Sequence, residues 1–158
     1  MIGRRRSPHS LILFVALLLL AVPGRAAPHY DPMVARVQVV GNDGGGRLRP
    51  RIAEVRQLKA SGVLVEIRGA YCLSSCTLYL GAGNVCVHSQ TAFGFHGPSY
   101  LDRPIRSERF DYWSRQMAAH YPPPLRRWFL TSARFVTSGY VSVSGADLIR
   151  MGVPRCRS

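Results

Sequence analysis

The chain has little lysine, little acid and no long apolar run, and each shortage narrows the functions open to it. A single lysine, Lys59, stands beside 20 arginines, and only 8 acidic residues offset them, for a net charge of +13. Nowhere do five or six like charges run together, so the positive charge makes no docking stripe and nucleic acid is not an expected partner. Spread arginine mainly confers solubility; weak contact with an anionic membrane surface stays open. The longest apolar run, Leu11 to Val22, has twelve residues, short of the roughly 20 that a spanning helix needs. There is no C-x2-C pair, no internal repeat, no long low-complexity segment and no cofactor motif, so no cofactor is expected.

The short apolar run has a different use. Arg4, Arg5 and Arg6 precede it, and Gly24-Arg25-Ala26 follows with small residues at the −3 and −1 positions of a cleavage site. That is the pattern of a secretory signal peptide over residues 1–26, with an uncleaved anchor as the less favoured alternative. The expected location is periplasmic or secreted, by the general secretory route. Residues 27–158 then form one domain of 132 residues and net charge about +9, large enough for a real core.

All four cysteines, Cys72, Cys76, Cys86 and Cys156, fall in this exported part. In an oxidising compartment an even count reads as two disulfides, with three connectivities open. A metal site built from these cysteines with His88 and His96 is the rival, but exported thiols are oxidised, so no metal is expected.

The pattern along the chain alternates strand and helix. VARVQVV, residues 34 to 40, reads as a strand entering a buried sheet, and Asn42 to Gly46 as a loop. Arg51 to Ala60 has helical spacing and ends at Ser61-Gly62. Val63 to Ile67 is a second strand, Leu73 to Ala82 a buried helix with Leu73, Cys76, Thr77 and Leu80 on one face, and Val85–Val87 and Ala92–Phe95 two brief strands. A helix from Ser107 to about His120, with Phe110, Trp113, Met117 and His120 or Tyr121 facing inward, stops at Pro122-Pro123-Pro124. Leu125 to Leu130 makes a short helix, Ser144 caps another through Met151, and Gly152 to Arg155 adds a last strand. Strands separated by helices in a chain this short predict an α/β fold with a mostly parallel sheet and flanking helices.

Chemistry concentrates around "GAYCLSSCTLYLGAG". A serine in the first turn of a buried helix lies near the positive end of the helix dipole, where free N–H groups also point. If Ser74 attacks a carbonyl, the N–H of Ser75 can donate to the oxyanion, and a glycine loop such as Gly44-Gly45-Gly46 can donate a second. His96, just after the strand AFGF, stands where active-site residues of open α/β sheets gather, and can act as base. The alternative is structural: Ser74 as a helix cap and His96 bonded to a backbone carbonyl. Cys72 and Cys76 flank the serines closely enough to be bridged, which would fix the serine-bearing turn.

"GNDGGG", then "CLSSCTLYLGAG", then "TAFGFHGP" resembles the Clp-type serine protease and crotonase-like superfamily, in particular its small exported members with a C-x-S-x-C segment. The resemblance runs from about Val34 to the C-terminus. It implies an abbreviated Clp/crotonase-like fold lacking the first strand-helix unit. It also implies a nucleophile at Ser74, eight residues before Ala82-Gly83, a base at His96, and an oxyanion hole from Gly45 or Gly46 with the N–H of Ser75. Cys86 and Cys156 would lie on neighbouring strands and form the second bridge. The family's third member, an Asp, has no counterpart: counting back from Gly152 lands on Tyr140. The resulting expectation is an exported serine hydrolase, a peptidase or acyl hydrolase with a Ser74-His96 dyad acting on a protein or peptide. The alternative is a non-catalytic exported binding or assembly protein of the same fold. Related proteins form rings or trimers, and Trp128 and Phe129 beside Arg126 and Arg127 suit a homo-oligomer contact.

Overall fold

Short apolar runs, several of them valine-rich, make most of the strands, and longer charged runs make the main helices, over the residues that the computed structural model describes, 36–100 and 105–157. These residues belong to one compact unit, Val34–Ser158; the predicted signal peptide lies outside the described residues. Three strands, β1 (Val37–Val40), β2 (Leu64–Ile67) and β4 (Val85–Val87), form one parallel sheet in the order β1-β2-β4. A second sheet holds β3 (Tyr71–Leu73), β5 (Ala92–Phe95) and β6 (Val141–Ser144) in the order β3-β5-β6, with β3 and β5 parallel and β6 antiparallel to β5. The class is α/β, as expected, but the strands divide between two sheets, and the sequence pattern had given no strand at β3 or β6.

Helix α1 (Leu48–Ser61) starts three residues before the predicted helix, because Pro50 in its first turn needs no N–H partner. Gly62, at φ +67°, closes it in the left-handed conformation that glycine adopts without strain. Ile52 and Val55 of α1 are buried, and α1 packs on the helix that follows β3. That helix, Ser74–Gly81, is a 3-10 helix in which Ser75 through Leu80 are all buried. A single inner face had been expected, but elements enclose it on every side.

Helix α2 (Ser107–Ala118) buries Met117, and Tyr121 just beyond it is also buried, whereas Phe110, Trp113 and His120 are only half-buried. Helix α3 (Pro123–Thr131) begins on Pro123, whose fixed φ suits a first helical position. Phe95 meets Tyr121 and Trp128 edge-on, each with ring centroids 5.5 Å apart, so α3 closes over β5. Helix α4 (Gly145–Arg150) starts at the predicted cap: the Ser144 hydroxyl accepts from the Asp147 N–H, and the Asp147 carboxylate accepts from the Ser144 N–H.

Two expectations are corrected. β1 is an edge strand rather than a buried one, with Val37 49% and Val39 55% exposed, because it has a sheet partner on one side only. The predicted last strand is a single bridge between Val87 and Arg155. Beside that bridge, the Cys86–Cys156 disulfide ties the end of the described chain to β4.

Candidate active site

Beyond β1 the chain does not leave the sheets. The Asp43 N–H donates to the Tyr71 carbonyl, and the Leu73 N–H donates to the Asp43 carbonyl at 2.8 Å, so the glycine loop runs alongside β3. The Asn42 side-chain oxygen accepts from the Ala70 N–H at 2.7 Å. Asp43 shapes the rest: one carboxylate oxygen accepts from the Gly45 N–H at 2.7 Å, a turn characteristic of Asp before Gly, and the other pairs with Arg51 of α1 at 2.7 Å. Arg51 in turn lies 4.4 Å from the Tyr79 ring centroid, and the Tyr79 hydroxyl donates to Glu54 at 2.6 Å. Burial, reinforced by that bond to Glu54, pushes the Tyr79 phenol above its ordinary range and keeps it a donor. Helix α1 thereby ties the glycine loop to the 3-10 helix.

This brings Gly45 against Ser74. A Cβ on Gly45 would lie 2.6 Å from the Ser74 Cβ and 3.1 Å from its Oγ, and Gly45 also has φ +95°, so only glycine fits. Ser74 itself has φ +55°, and it is the one non-glycine residue of positive φ among the described residues. That conformation costs a non-glycine residue about 1–2 kcal/mol. The strained residue stands at a sharp turn from strand into helix, a geometry that presents a nucleophile outward. Ser74 is half-buried and its hydroxyl has no hydrogen-bond partner among the described residues; the helix end carries no side-chain cap. The capping role is therefore not the one Ser74 plays. Ser75 points the other way, fully buried with an unpartnered hydroxyl. The Cys72–Cys76 disulfide, with Cα atoms 5.3 Å apart, clips β3 to the helix across Ser74.

His96 reaches the same end of the second sheet. Leu73 and Gly94 are register partners in parallel strands, so Ser74 leaves β3 level with Phe95, and His96 follows one residue further along the neighbouring strand's path. The His96 Nδ1 lies 2.6 Å from the Gly97 carbonyl oxygen. A carbonyl only accepts, so Nδ1 holds the proton and Nε2 keeps a lone pair. Gly97 is fixed in turn: its N–H donates to the Val136 carbonyl at 2.8 Å, and a Cβ there would lie 1.8 Å from the Arg134 carbonyl oxygen. The Arg134 guanidinium pairs with Asp111 and lies 4.9 Å from the Phe110 and Phe135 ring centroids. Tyr140, at the position where a third acidic member was sought, lies against Gly94, its ring 2.9 Å from where a Cβ would be.

The structure thus joins Ser74 and Gly45 directly and sets His96 just past the end of the neighbouring strand β5, with no hydrogen bond between Ser74 and His96. One expected donor changes role. The Gly45 N–H is committed to Asp43, so Gly45 acts by its close approach, leaving Gly46, at φ +153°, and the Ser75 N–H as candidate oxyanion donors. All four cysteines are in disulfides, Cys72–Cys76 and Cys86–Cys156. Among the described residues no three His, Cys, Asp or Glu side chains gather as metal ligands, and no helix is long and apolar enough to cross a membrane.

Sequence reasoning passed over Asp43, Arg51 and the Gly97 carbonyl. An Asp-Gly pair signals an Asx turn and could have flagged Asp43; no sequence pattern announces a backbone carbonyl that orients a histidine. Compared with known proteins, the chain matches no family model and no curated sequence.

Proposed function

We propose that this protein is an exported serine hydrolase that cleaves a peptide or related acyl bond, with Ser74 as nucleophile and His96 as base. His96 Nε2 takes the proton of the Ser74 hydroxyl as Oγ attacks the carbonyl carbon. The resulting oxyanion accepts from the N–H groups of Gly46 and Ser75. His96 returns the proton to the leaving group, which departs and leaves an acyl-enzyme. Water, deprotonated by the same nitrogen, then attacks the acyl carbon, and the acid product leaves with Ser74 regenerated.

The carrying observation is the strained, uncapped Ser74 on a strand-to-helix turn, pressed against Gly45. The Gly97 carbonyl supports it by fixing the His96 tautomer with Nε2 as the free base. A neutral carbonyl orients the imidazole but cannot balance its charge when it becomes protonated, so slow turnover is expected. The two disulfides suit an oxidising, exported setting. The sequence resemblance to Clp-type and crotonase-like proteins points the same way.

Hydrolysis of p-nitrophenyl esters by the mature oxidised protein tests this. Ser74→Ala and His96→Ala are each expected to lower kcat by roughly a thousandfold or more. A second reading, an assembly or binding protein that has lost turnover, draws on the missing hydrogen bond between Ser74 and His96. Wild-type rates equal to those of Ser74→Ala would establish that reading instead.

A further inference from the structure

Between α1 and α2, away from Ser74, lies a cavity of about 220 Å³ lined by Arg49, Arg56, Ile52, Tyr112, Trp113 and Gln116 among others, with no acidic residue. Arg49 and Arg56 stand seven residues apart, two turns along the same side of α1. The Arg49 guanidinium lies 5.5 Å from the Trp113 ring centroid, which restrains it at the cavity wall. Neither arginine has an ion-pair partner among the described residues. Five of the six described carboxylates are matched elsewhere: Asp43 and Glu54 to Arg51, Glu66 to Arg68, Asp111 to Arg134 and Asp147 to Arg150. The sixth, Glu108, stands one turn before Tyr112 on α2, pairs with no arginine among the described residues and does not line the cavity. In a chain this short of acid, pairing those arginines leaves this cleft with two uncompensated guanidiniums.

We propose that the cleft binds a phosphomonoester. Two guanidinium forks match the oxygens of a tetrahedral anion, and their combined charge balances the dianion that a phosphomonoester becomes near neutral pH. The Gln116 amide and Tyr112 hydroxyl supply neutral donors. The Trp113 face and buried Ile52 provide an apolar wall for the carbon body. At this volume the cleft holds the phosphate and a few further heavy atoms.

The test is calorimetric titration of the mature protein with glycerol 3-phosphate, alongside flotation with phosphatidylcholine vesicles containing phosphatidic acid or, at matched charge, phosphatidylglycerol. Saturable one-to-one binding is expected, weakened at least about tenfold by Arg49→Gln and by Arg56→Gln. Arg127→Gln, at an exposed position of α3, and Ser74→Ala should leave it unchanged, which separates this site from the proposed hydrolase. Gln116→Glu, adding negative charge to the cleft, should abolish binding. Retention on phosphatidic acid vesicles alone, still dependent on Arg49 and Arg56, identifies the phosphate as a lipid headgroup. Binding to neither probe, equal retention on phosphatidylglycerol, or equal weakening by Arg127→Gln overturns the proposal.

Discussion

Ser74 holds a backbone conformation that its side chain disfavours, next to a serine that is buried and unpartnered. Strain at one residue has a measurable consequence. Ser74→Gly removes the side chain that is strained at φ +55° and is expected to raise the melting temperature by a few degrees while abolishing hydrolysis. An unchanged or lower melting temperature in a thermal scan would show that the turn stores no strain. Ser75→Ala removes a buried hydroxyl that bonds to nothing, and is expected to be neutral or stabilising by about 1 kcal/mol in denaturant titration. The sequence could name the pair but not choose between its members on physical grounds. Two adjacent serines differ only in which way the backbone turns them, and that turn is set by β3, the 3-10 helix and the disulfide across it.

Among the elements, the glycine loop is held by a salt bridge from a helix. Asp43→Ala removes the acceptor of the Gly45 N–H and leaves Arg51 with its longer contact to Glu54, at 3.4 Å. A loss of about 2 kcal/mol is expected by chemical denaturation, together with weaker hydrolysis as the glycine loop loosens beside Ser74. Elements whose shape depends on their own residues were legible: β4 and β5 as uninterrupted apolar runs, α1 by its spacing and closing glycine, α4 by its cap. β3 and β6 were not, because short strands with exposed or polar residues exist only through their partners, Phe93 opposite Cys72 and Val143 opposite Phe93. The 3-10 helix misled as well. Its serine and threonine suggest a polar side, yet Ser75 and Thr77 are buried with Cys76, Leu78, Tyr79 and Leu80 because neighbouring elements enclose the helix.

Over the whole molecule, the fold is closed by its longest covalent link and tuned by a histidine. The Cys86–Cys156 bridge spans 70 residues, and replacing both cysteines by alanine should cost about 4 kcal/mol through a freer unfolded chain. A cost below about 1 kcal/mol in urea titration would contradict that role. His120 donates from Nδ1 to the Gln116 carbonyl. Burial holds its pKa below the ordinary value; the Gln116 bond partly offsets this, and Arg56 and Lys59 push it down further. The unfolded chain therefore takes up a proton near pH 6.5 that the folded protein refuses until lower pH, so stability falls as pH drops through that window. His120→Gln should flatten the fall between neutrality and pH 5 in thermal melts; parallel curves would contradict it. The α/β class could be read from the alternation of strand and helix, and the Cys72–Cys76 clip from spacing. The division into two sheets could not, because nothing local decides which strands become neighbours.

Active-site labelling tests the central claim most directly. The mature oxidised protein, treated with a fluorophosphonate and measured by intact mass and peptide mapping, should gain one adduct, on Ser74, that is absent from Ser74→Ala and strongly slowed in His96→Ala. No adduct, or an adduct that persists in Ser74→Ala, would contradict it.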